Sequence, residues 1–166
     1  MFLALQVLTV TFVAVAMALA LAHAFELPGK LRLSKEQYLT IQRIYYPGFT
    51  FGGAAEPIAL LLTFLLVLLT PVGTAAFWLT AAALAALVAM HAIYWLLTHP
   101  VNNFWLEDVE LTRVGASFFS LHPLSRGDEA HHLDWTLLRD RWERSHVLRA
   151  GLGLLSLILL VTAVAA

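Results

Sequence analysis

The sequence predicts an all-α integral membrane protein that folds as a single four-helix bundle over residues 1–166. Its 166 residues are 60% hydrophobic and 13% charged, whereas a soluble domain is roughly 45–50% apolar and about 25% charged. Four apolar runs are each long enough, at about 1.5 Å per helical residue, to cross a hydrocarbon core of about 30 Å. The predicted spans therefore cover about residues 2–25, 49–69, 72–97 and 146–165.

The composition also excludes several classes of function. Ten Lys and Arg residues against eleven Asp and Glu residues leave a formal charge of −1, so the chain offers no basic surface to nucleic acid. The chain has no cysteine, which excludes a disulfide scaffold, a Cys-ligated metal site and dithiol chemistry. The expected partners are the lipid bilayer, a lipophilic small molecule, and further copies or other subunits of a larger membrane complex.

The first apolar run has two interpretations. Ala22, His23 and Ala24 have the small-x-small pattern of a signal-peptide cleavage site. However, no basic segment precedes the run, and it is longer than the apolar region of a signal peptide. We therefore expect the first run to be a membrane span.

The connection between spans one and two predicts a short interfacial helix. Ser34 is placed as its N-cap, and Gln37 follows at the position that completes a capping box. Tyr38 and Tyr45 lie on one stripe of this helix, which ends before Pro47. We expect these tyrosines to lie at the depth of the lipid headgroups.

The connection between spans three and four predicts a helical extension that runs into span four. Asp128 is a possible N-cap, and the helix would continue through Trp135 to His146. Arg139 and Glu143 are spaced for an i,i+4 ion pair on its exposed face. The tryptophans near the span ends are predicted to anchor the protein at the membrane interface, namely Trp78, Trp105, Trp135 and Trp142.

The basic residues predict the orientation in the membrane. All Lys and Arg residues lie in the two long connections or at the start of span four. The positive-inside rule therefore predicts that both connections are cytoplasmic and both termini non-cytoplasmic, in a bacterial inner (plasma) membrane.

Five ionisable side chains fall within or at the ends of the spans, where each costs about 3 kcal/mol. Odd spans run toward the basic face and even spans run away from it. The five residues should therefore meet at one end of the bundle, and they are His23, Glu26, Glu56, His91 and His146.

One stripe of span three changes from apolar to polar as the helix leaves the bilayer, through His91, Trp95, Thr98 and Asn102. Pro100 lacks an N–H group, so the carbonyl of Leu96 loses its usual helical partner. This predicts a kink beside a pocket. Asn102 would either cap the kinked helix or bind an oxygen atom of a ligand.

The converging residues support four hypotheses. Glu-x-x-His pairs from a bundle can hold a di-metal centre of iron or copper, and the candidate ligands are His23, Glu26, Glu56, His91, Glu143 and His146. A b-type haem could instead be held by His23 and His91. A metal-free pocket in which His or Glu moves protons is a third hypothesis. The fourth is a hydrogen-bond network that only fixes helix register.

The C-terminal half resembles a known family. Pro100-Val101-Asn102, the segment from Leu138 to Glu143, and His146 with Arg149 at the start of the last span resemble the anthrone-oxygenase-like family of small four-span membrane proteins. The resemblance implies O2-dependent oxidation of a lipophilic substrate. By this resemblance the site residues are Asn102, Trp142, His146 and Arg149.

The residues and the resemblance together predict an integral membrane oxidoreductase. A flat aromatic substrate would enter from the bilayer and lose a proton to His or Glu before reacting with O2. The expected catalytic residues are His91, Glu56, His146 and Asn102. The alternatives are a non-catalytic membrane subunit that binds lipid, haem or pigment, and a transporter.

Overall fold

A computed structural model describes residues 2–105, 110–120 and 134–166. Within these ranges the chain is helical and contains no strand. The α-helices are α1 (Phe2–Lys30), α2 (Lys35–Gln42), α3 (Gly48–Gly52), α4 (Ala55–Leu69), α5 (Ala75–Ile93), α6 (His99–Trp105), α7 (Arg113–Phe119) and α8 (Trp135–Ala165).

Four helical segments are long and apolar enough to cross a membrane, namely Phe2–Lys30, Gly48–Leu69, Ala75–Asn102 and Trp135–Ala165. Both α8 and α4 pack along α1 and α5, so the four segments form a closed ring around one core. Large apolar side chains such as Leu61, Leu68 and Ile158 are exposed on the outside of the bundle, where a bilayer would cover them. The predicted all-α four-helix membrane bundle is confirmed.

Small residues let the helices approach closely. A Cβ atom at Gly153 of α8 would lie 3.0 Å from the Cβ atom of Met17 of α1, so a side chain at this crossing would press on α1 and glycine is favoured. On the other side of α8, Ser156 donates a hydrogen bond of 3.0 Å to the carbonyl of Ala83. These contacts fix the register of α8 against α1 and α5.

Two helix boundaries differ from the prediction. Helix α1 continues past its apolar run, through Pro28, to Lys30. Helix α8 includes the predicted extension but begins later than expected, because Asp134 is its N-cap and accepts a hydrogen bond of 2.9 Å from the backbone N–H of Thr136. Asp128 lies outside the described residues.

The helix of span three is irregular just before Pro100, where the sequence predicts a kink. Residues Tyr94–Thr98 form a π-helical turn between α5 and α6, a feature that is common at functional sites. The carbonyl of Leu96 accepts a hydrogen bond of 2.7 Å from Arg141 of α8. A side chain of the neighbouring helix thus satisfies the acceptor that Pro100 leaves free.

The aromatic residues near α2 are buried inside the protein. The Ser34 capping box is present as expected, and Tyr38 and Tyr45 are buried among other side chains of the protein. Trp105 and Trp142 are also buried and pack with these tyrosines in one cluster, so their prediction as interface anchors is wrong. Trp78, at the opposite end of the bundle, is 64% exposed, as an anchor should be.

Candidate functional site

A cavity of about 480 Å³ lies at the end of the bundle where the polar residues converge. Its walls are largely aromatic and come from the bundle and from the connecting segments, including Tyr45, Phe49, Trp95, Phe118, Phe119 and Trp142. Its His, Glu and Arg lining residues are His23, Glu56, His91, His146 and Arg149. An apolar cavity with a few convergent polar groups is the usual form of a small-molecule site.

Glu56 links two elements of the bundle at the cavity. One carboxylate oxygen lies 2.9 Å from Nδ1 of His91 on α5, and the other accepts a hydrogen bond of 2.6 Å from Arg149 on α8. The side chain is in the first turn of α4, where the helix dipole favours a negative charge. Glu56 is therefore a buried carboxylate with both oxygens occupied.

The partners of His91 determine its tautomer. The indole N–H of Trp95 donates a hydrogen bond of 3.0 Å to Nε2 of His91, so Nε2 is an acceptor. The neutral ring then carries its proton on Nδ1, which donates to Glu56. His91 and Glu56 thus form a carboxylate–imidazole pair in which Nε2 retains the lone pair.

His146 has the opposite tautomer. A guanidinium nitrogen of Arg149 lies 3.3 Å from Nδ1 of His146, and because Arg149 can only donate, Nδ1 must accept. The proton therefore lies on Nε2, which has no hydrogen-bond partner. The ring of His23 packs against that of His146 with centroids 4.2 Å apart, which connects this part of the site to α1.

A second polar cluster surrounds Lys30, at the end of α1. Its ammonium group lies 3.0 Å from Glu26, 3.3 Å from Glu143 and 3.3 Å from Nδ1 of His23. It also lies 4.7 Å from the ring centroid of Tyr45, within the range of a cation–π contact. Lys30 is only 3% exposed, so it is a buried cation shared by two carboxylates.

Two tyrosines of the first connection complete the Lys30 cluster. Tyr38 donates a hydrogen bond of 2.7 Å to Glu143, and Tyr45 donates one to Glu26. Burial raises the pKa of Tyr38 well above its usual range, and the charge of Glu143 and its hydrogen bond add to this shift. Burial and the hydrogen bond to Glu26 likewise raise the pKa of Tyr45. Both phenols therefore remain neutral donors at physiological pH.

The predicted residues thus fall into two connected groups. Glu56, His91 and His146 line the cavity, whereas Glu26 and Glu143 belong to the Lys30 cluster, and His23 joins the two groups. The convergence predicted from helix direction is confirmed. The predicted pairing of Glu143 with Arg139 is wrong, because Glu143 is 1% exposed and turns inward, while Arg139 pairs with Asp140 at 2.8 Å.

Asn102 helps to join α6 to α8 at the cavity wall. Its side-chain oxygen accepts a hydrogen bond of 2.9 Å from the indole N–H of Trp142. One turn deeper, the hydroxyls of Thr98 and Ser145 lie 2.8 Å apart. All four members of the predicted stripe, His91, Trp95, Thr98 and Asn102, line the cavity.

The proposed metal and haem ligands fit these cofactors poorly. Across the described ranges, no group of three or more His, Cys, Asp or Glu residues is arranged to hold a metal ion. Arg149 and Lys30 already neutralise the carboxylates, and both ring nitrogens of His91 are in hydrogen bonds. The set of iron or copper ligands and the pair of haem ligands, His23 and His91, therefore gain no support from the geometry.

Sequence reasoning did not identify three residues of the site. Lys30, Tyr38 and Tyr45 hold the carboxylates of the second cluster. Spacing offered a signal, because His23, Glu26 and Lys30 follow an i, i+3, i+7 pattern on one helical stripe, and Tyr38 and Tyr45 are also seven residues apart.

Comparison of the chain with models of protein families, with curated proteins and with solved structures gives no match. The resemblance to the anthrone-oxygenase-like family is therefore supported only by the residues that suggested it. These residues, Asn102, Trp142, His146 and Arg149, all line the one cavity.

Proposed function

We propose that the protein is a membrane-embedded oxidoreductase that oxidises a lipophilic aromatic substrate with O2. The observation that carries this proposal is the aromatic cavity in which a carboxylate–imidazole pair, Glu56 and His91, lies beside a donor pair, His146 and Arg149. These two pairs are the groups needed to remove a proton from carbon and to stabilise the resulting anion.

The walls of the cavity suit a flat apolar substrate. Aromatic rings surround it on several sides, and two of its lining residues, Phe51 and Val114, are exposed on the surface. Part of the cavity lining therefore reaches the surface of the protein, where we propose that a substrate from the bilayer enters and packs its rings against aromatic side chains.

His91 is the base in the proposed reaction. Its Nε2 atom takes a proton from a substrate CH2 group that lies opposite a carbonyl in the same ring, after the indole of Trp95 releases that atom, and the negative charge is delocalised through the fused rings onto the carbonyl oxygen. Glu56 accepts the Nδ1–H hydrogen bond and stabilises the imidazolium that forms, as a carboxylate does beside the histidine base of other enzymes.

His146 and Arg149 stabilise the product of this step. Removal of the proton leaves an enolate, and its oxygen accepts hydrogen bonds from Nε2–H of His146 and from Arg149. The enolate then reacts with O2. The CH2 carbon loses two hydrogens and gains one oxygen atom as a carbonyl, and the second oxygen atom leaves with those hydrogens as water.

An oxygen electrode tests the proposal directly. The purified protein in lipid nanodiscs is mixed with anthrone, the substrate class that the resemblance implies, and we expect one O2 consumed per quinone formed. Protein-free nanodiscs measure spontaneous oxidation. Oxygen uptake no faster than in that control would refute the proposed activity.

One observation favours a second candidate function. Both oxygens of Glu56 and both nitrogens of His91 are already in hydrogen bonds, as expected if the network only holds the helices together. On this alternative the cavity binds a lipophilic ligand and the protein is a non-catalytic membrane subunit. Tight ligand binding without turnover would support the alternative.

We also propose that the cavity faces the cytoplasm and that both termini lie on the other side of a bacterial inner membrane. The absence of native cysteine makes single-cysteine labelling clean. In spheroplasts, a membrane-impermeant maleimide should label Val72→Cys, at an exposed position in the turn before α5. It should label Ser120→Cys, exposed after α7, only after permeabilisation. The reverse pattern would invert the topology.

A further inference from the structure

The walls of the cavity reach the surface of the protein at α3 and α7. Of the described residues that line the cavity, five are exposed, namely Phe51, Gly53, Ala54, Pro57 and Val114. The first four extend from α3 into the first turn of α4, and Val114 belongs to α7. At these positions one layer of residues separates the cavity from the surroundings of the protein.

This exposed part of the wall is entirely apolar. Its residues are phenylalanine, glycine, alanine, proline and valine, and none of their side chains carries a polar atom. The segment Gly48–Leu69, which contains four of the five, is long and apolar enough to cross a membrane. A polar ligand would lose its hydration at such a wall, whereas an apolar ligand gains by leaving water. The wall therefore suits a ligand that arrives from the bilayer.

Tyr46 and Thr112 join α3 to α7. Tyr46 lies just before α3, and Thr112 is the N-cap of α7. The Tyr46 hydroxyl accepts a hydrogen bond of 2.6 Å from the backbone N–H of Thr112 and donates one of 3.0 Å to the side-chain oxygen of Thr112. These two bonds, the Tyr46–Thr112 contact, hold the two exposed parts of the wall together.

Glycine at position 115 leaves room for this contact. A Cβ atom at Gly115 would lie 2.7 Å from the hydroxyl oxygen of Tyr46 and 3.1 Å from its Cε2 atom. A side chain at this position would therefore push the hydroxyl away from Thr112. The contact can thus be broken by a substitution on either side of it, at Tyr46 or at Gly115.

The other end of α7 is held by aromatic packing. The ring of Phe119 stacks on that of His99 in α6, with centroids 6.1 Å apart, and both residues are buried. The hydrogen bonds of the Tyr46–Thr112 contact are exposed instead, so water can replace them when they break. The start of α7 is therefore easier to release than its end.

We infer that the Tyr46–Thr112 contact is the gate through which a lipophilic ligand enters and leaves the cavity, between α3 and α7. When the contact breaks, the start of α7 moves away from α3 while its end stays packed on His99. The gate sets the rates of ligand exchange, as mobile segments do over other enclosed sites. It leaves the affinity unchanged, because the contact closes in the same way with and without ligand. This inference rests on the proposed function, since it concerns the ligand of the same cavity.

Fluorine-19 exchange NMR tests the inference with 2-fluoroanthracene as the probe. This molecule is flat and lipophilic, and it has no CH2 group, so the proposed reaction does not consume it. With the full chain in nanodiscs, one sample gives the dissociation constant and the rates of exchange between bound probe and probe in the lipid. Empty nanodiscs give the resonance of the probe in lipid, and displacement by anthrone under argon shows that both molecules occupy the same cavity.

Two variants open the gate in different ways. Tyr46→Phe removes the hydroxyl of the contact, and Gly115→Ala displaces it. Each should raise the rates of binding and of release together, by about threefold to tenfold, and leave the dissociation constant unchanged. Ser120→Ala is the control, because it removes an exposed hydroxyl from the opposite end of α7 and should alter neither rate.

The dissociation constant reports whether each variant retains a folded cavity. Wild-type rates in either gate variant would overturn the inference and leave the proposed cavity intact. Faster release with a matching loss of affinity would also overturn it, because the Tyr46 hydroxyl would then belong to the binding site. Failure of both the probe and anthrone to bind the wild-type protein would remove the ligand cavity and its gate, whereas gated binding without oxygen uptake would refute only the oxidation.

Discussion

Replacing Lys30 with Met is expected to lower the free energy of unfolding by about 3–5 kcal/mol, the usual cost of removing one partner from a buried ion pair. Lys30 is the shared cation of Glu26 and Glu143, at 3.0 and 3.3 Å. Without it, the Tyr38 hydroxyl is the one remaining donor to Glu143 among the residues that the structure describes, and Glu143 stays buried. Unfolding in mixed detergent micelles, followed by circular dichroism, measures the change.

A matched pair of variants identifies the cause of this loss. Lys35→Met removes an exposed lysine from α2 and should change the free energy of unfolding by less than about 0.5 kcal/mol. The double variant Lys30→Met with Glu143→Gln should recover much of the loss, because it removes the buried charge that the single variant leaves unpaired. If Lys30→Met unfolds no more easily than Lys35→Met, the Lys30 cluster does not stabilise the bundle.

The features predicted correctly from the sequence depend on periodicity and helix direction. The apolar runs are long enough to identify four spans, and their alternation brings Glu56, His91 and His146 to one end. The lost N–H group of Pro100 predicts a kink, and a π-helical turn lies just before it. Each of these inferences uses only local spacing and the direction of the chain, which a single sequence contains.

The wrong predictions concern residues whose partners are distant in the chain. Local spacing paired Glu143 with Arg139, but the protein pairs Glu143 with Lys30 and Tyr38, more than one hundred positions away. The hydrogen bond of Tyr45 to Glu26 was missed for the same reason, because nothing near Tyr45 in the sequence indicates that Glu26 lies within reach. Helix α1 extends to Lys30 beyond its apolar run, and the partners that bury Lys30 come from other helices.

The tautomers of His91 and His146 were also beyond the reach of sequence reasoning. Each depends on which nitrogen faces a group that can only donate, Trp95 for His91 and Arg149 for His146. Spacing suggests that Trp95 lies one turn from His91, but it does not specify the contact atom. The tautomer nevertheless decides that His91 is the proposed base and His146 the proposed donor.

Glu56→Gln is expected to lower turnover about 10²–10⁴-fold, the usual contribution of a general base, while the protein still inserts into the membrane. The amide oxygen can still accept from Arg149, but the amide nitrogen then faces Nδ1 of His91 and donates to it. The proton of His91 therefore moves to Nε2. That atom loses the lone pair that takes the substrate proton, and it now opposes the indole N–H of Trp95.

Nitrogen-15 NMR of labelled histidine measures this exchange of tautomers without any substrate, and the oxygen electrode measures its effect on turnover. The control is Glu36→Gln, which removes an exposed carboxylate from α2 and should alter neither result. If the network only fixes helix register, Glu56→Gln should alter the tautomer or the stability, and neither the wild-type protein nor the variant should show turnover. Unchanged turnover together with a changed tautomer would therefore exclude His91 as the base, because the same proton shift that removes its lone pair would have left the reaction untouched.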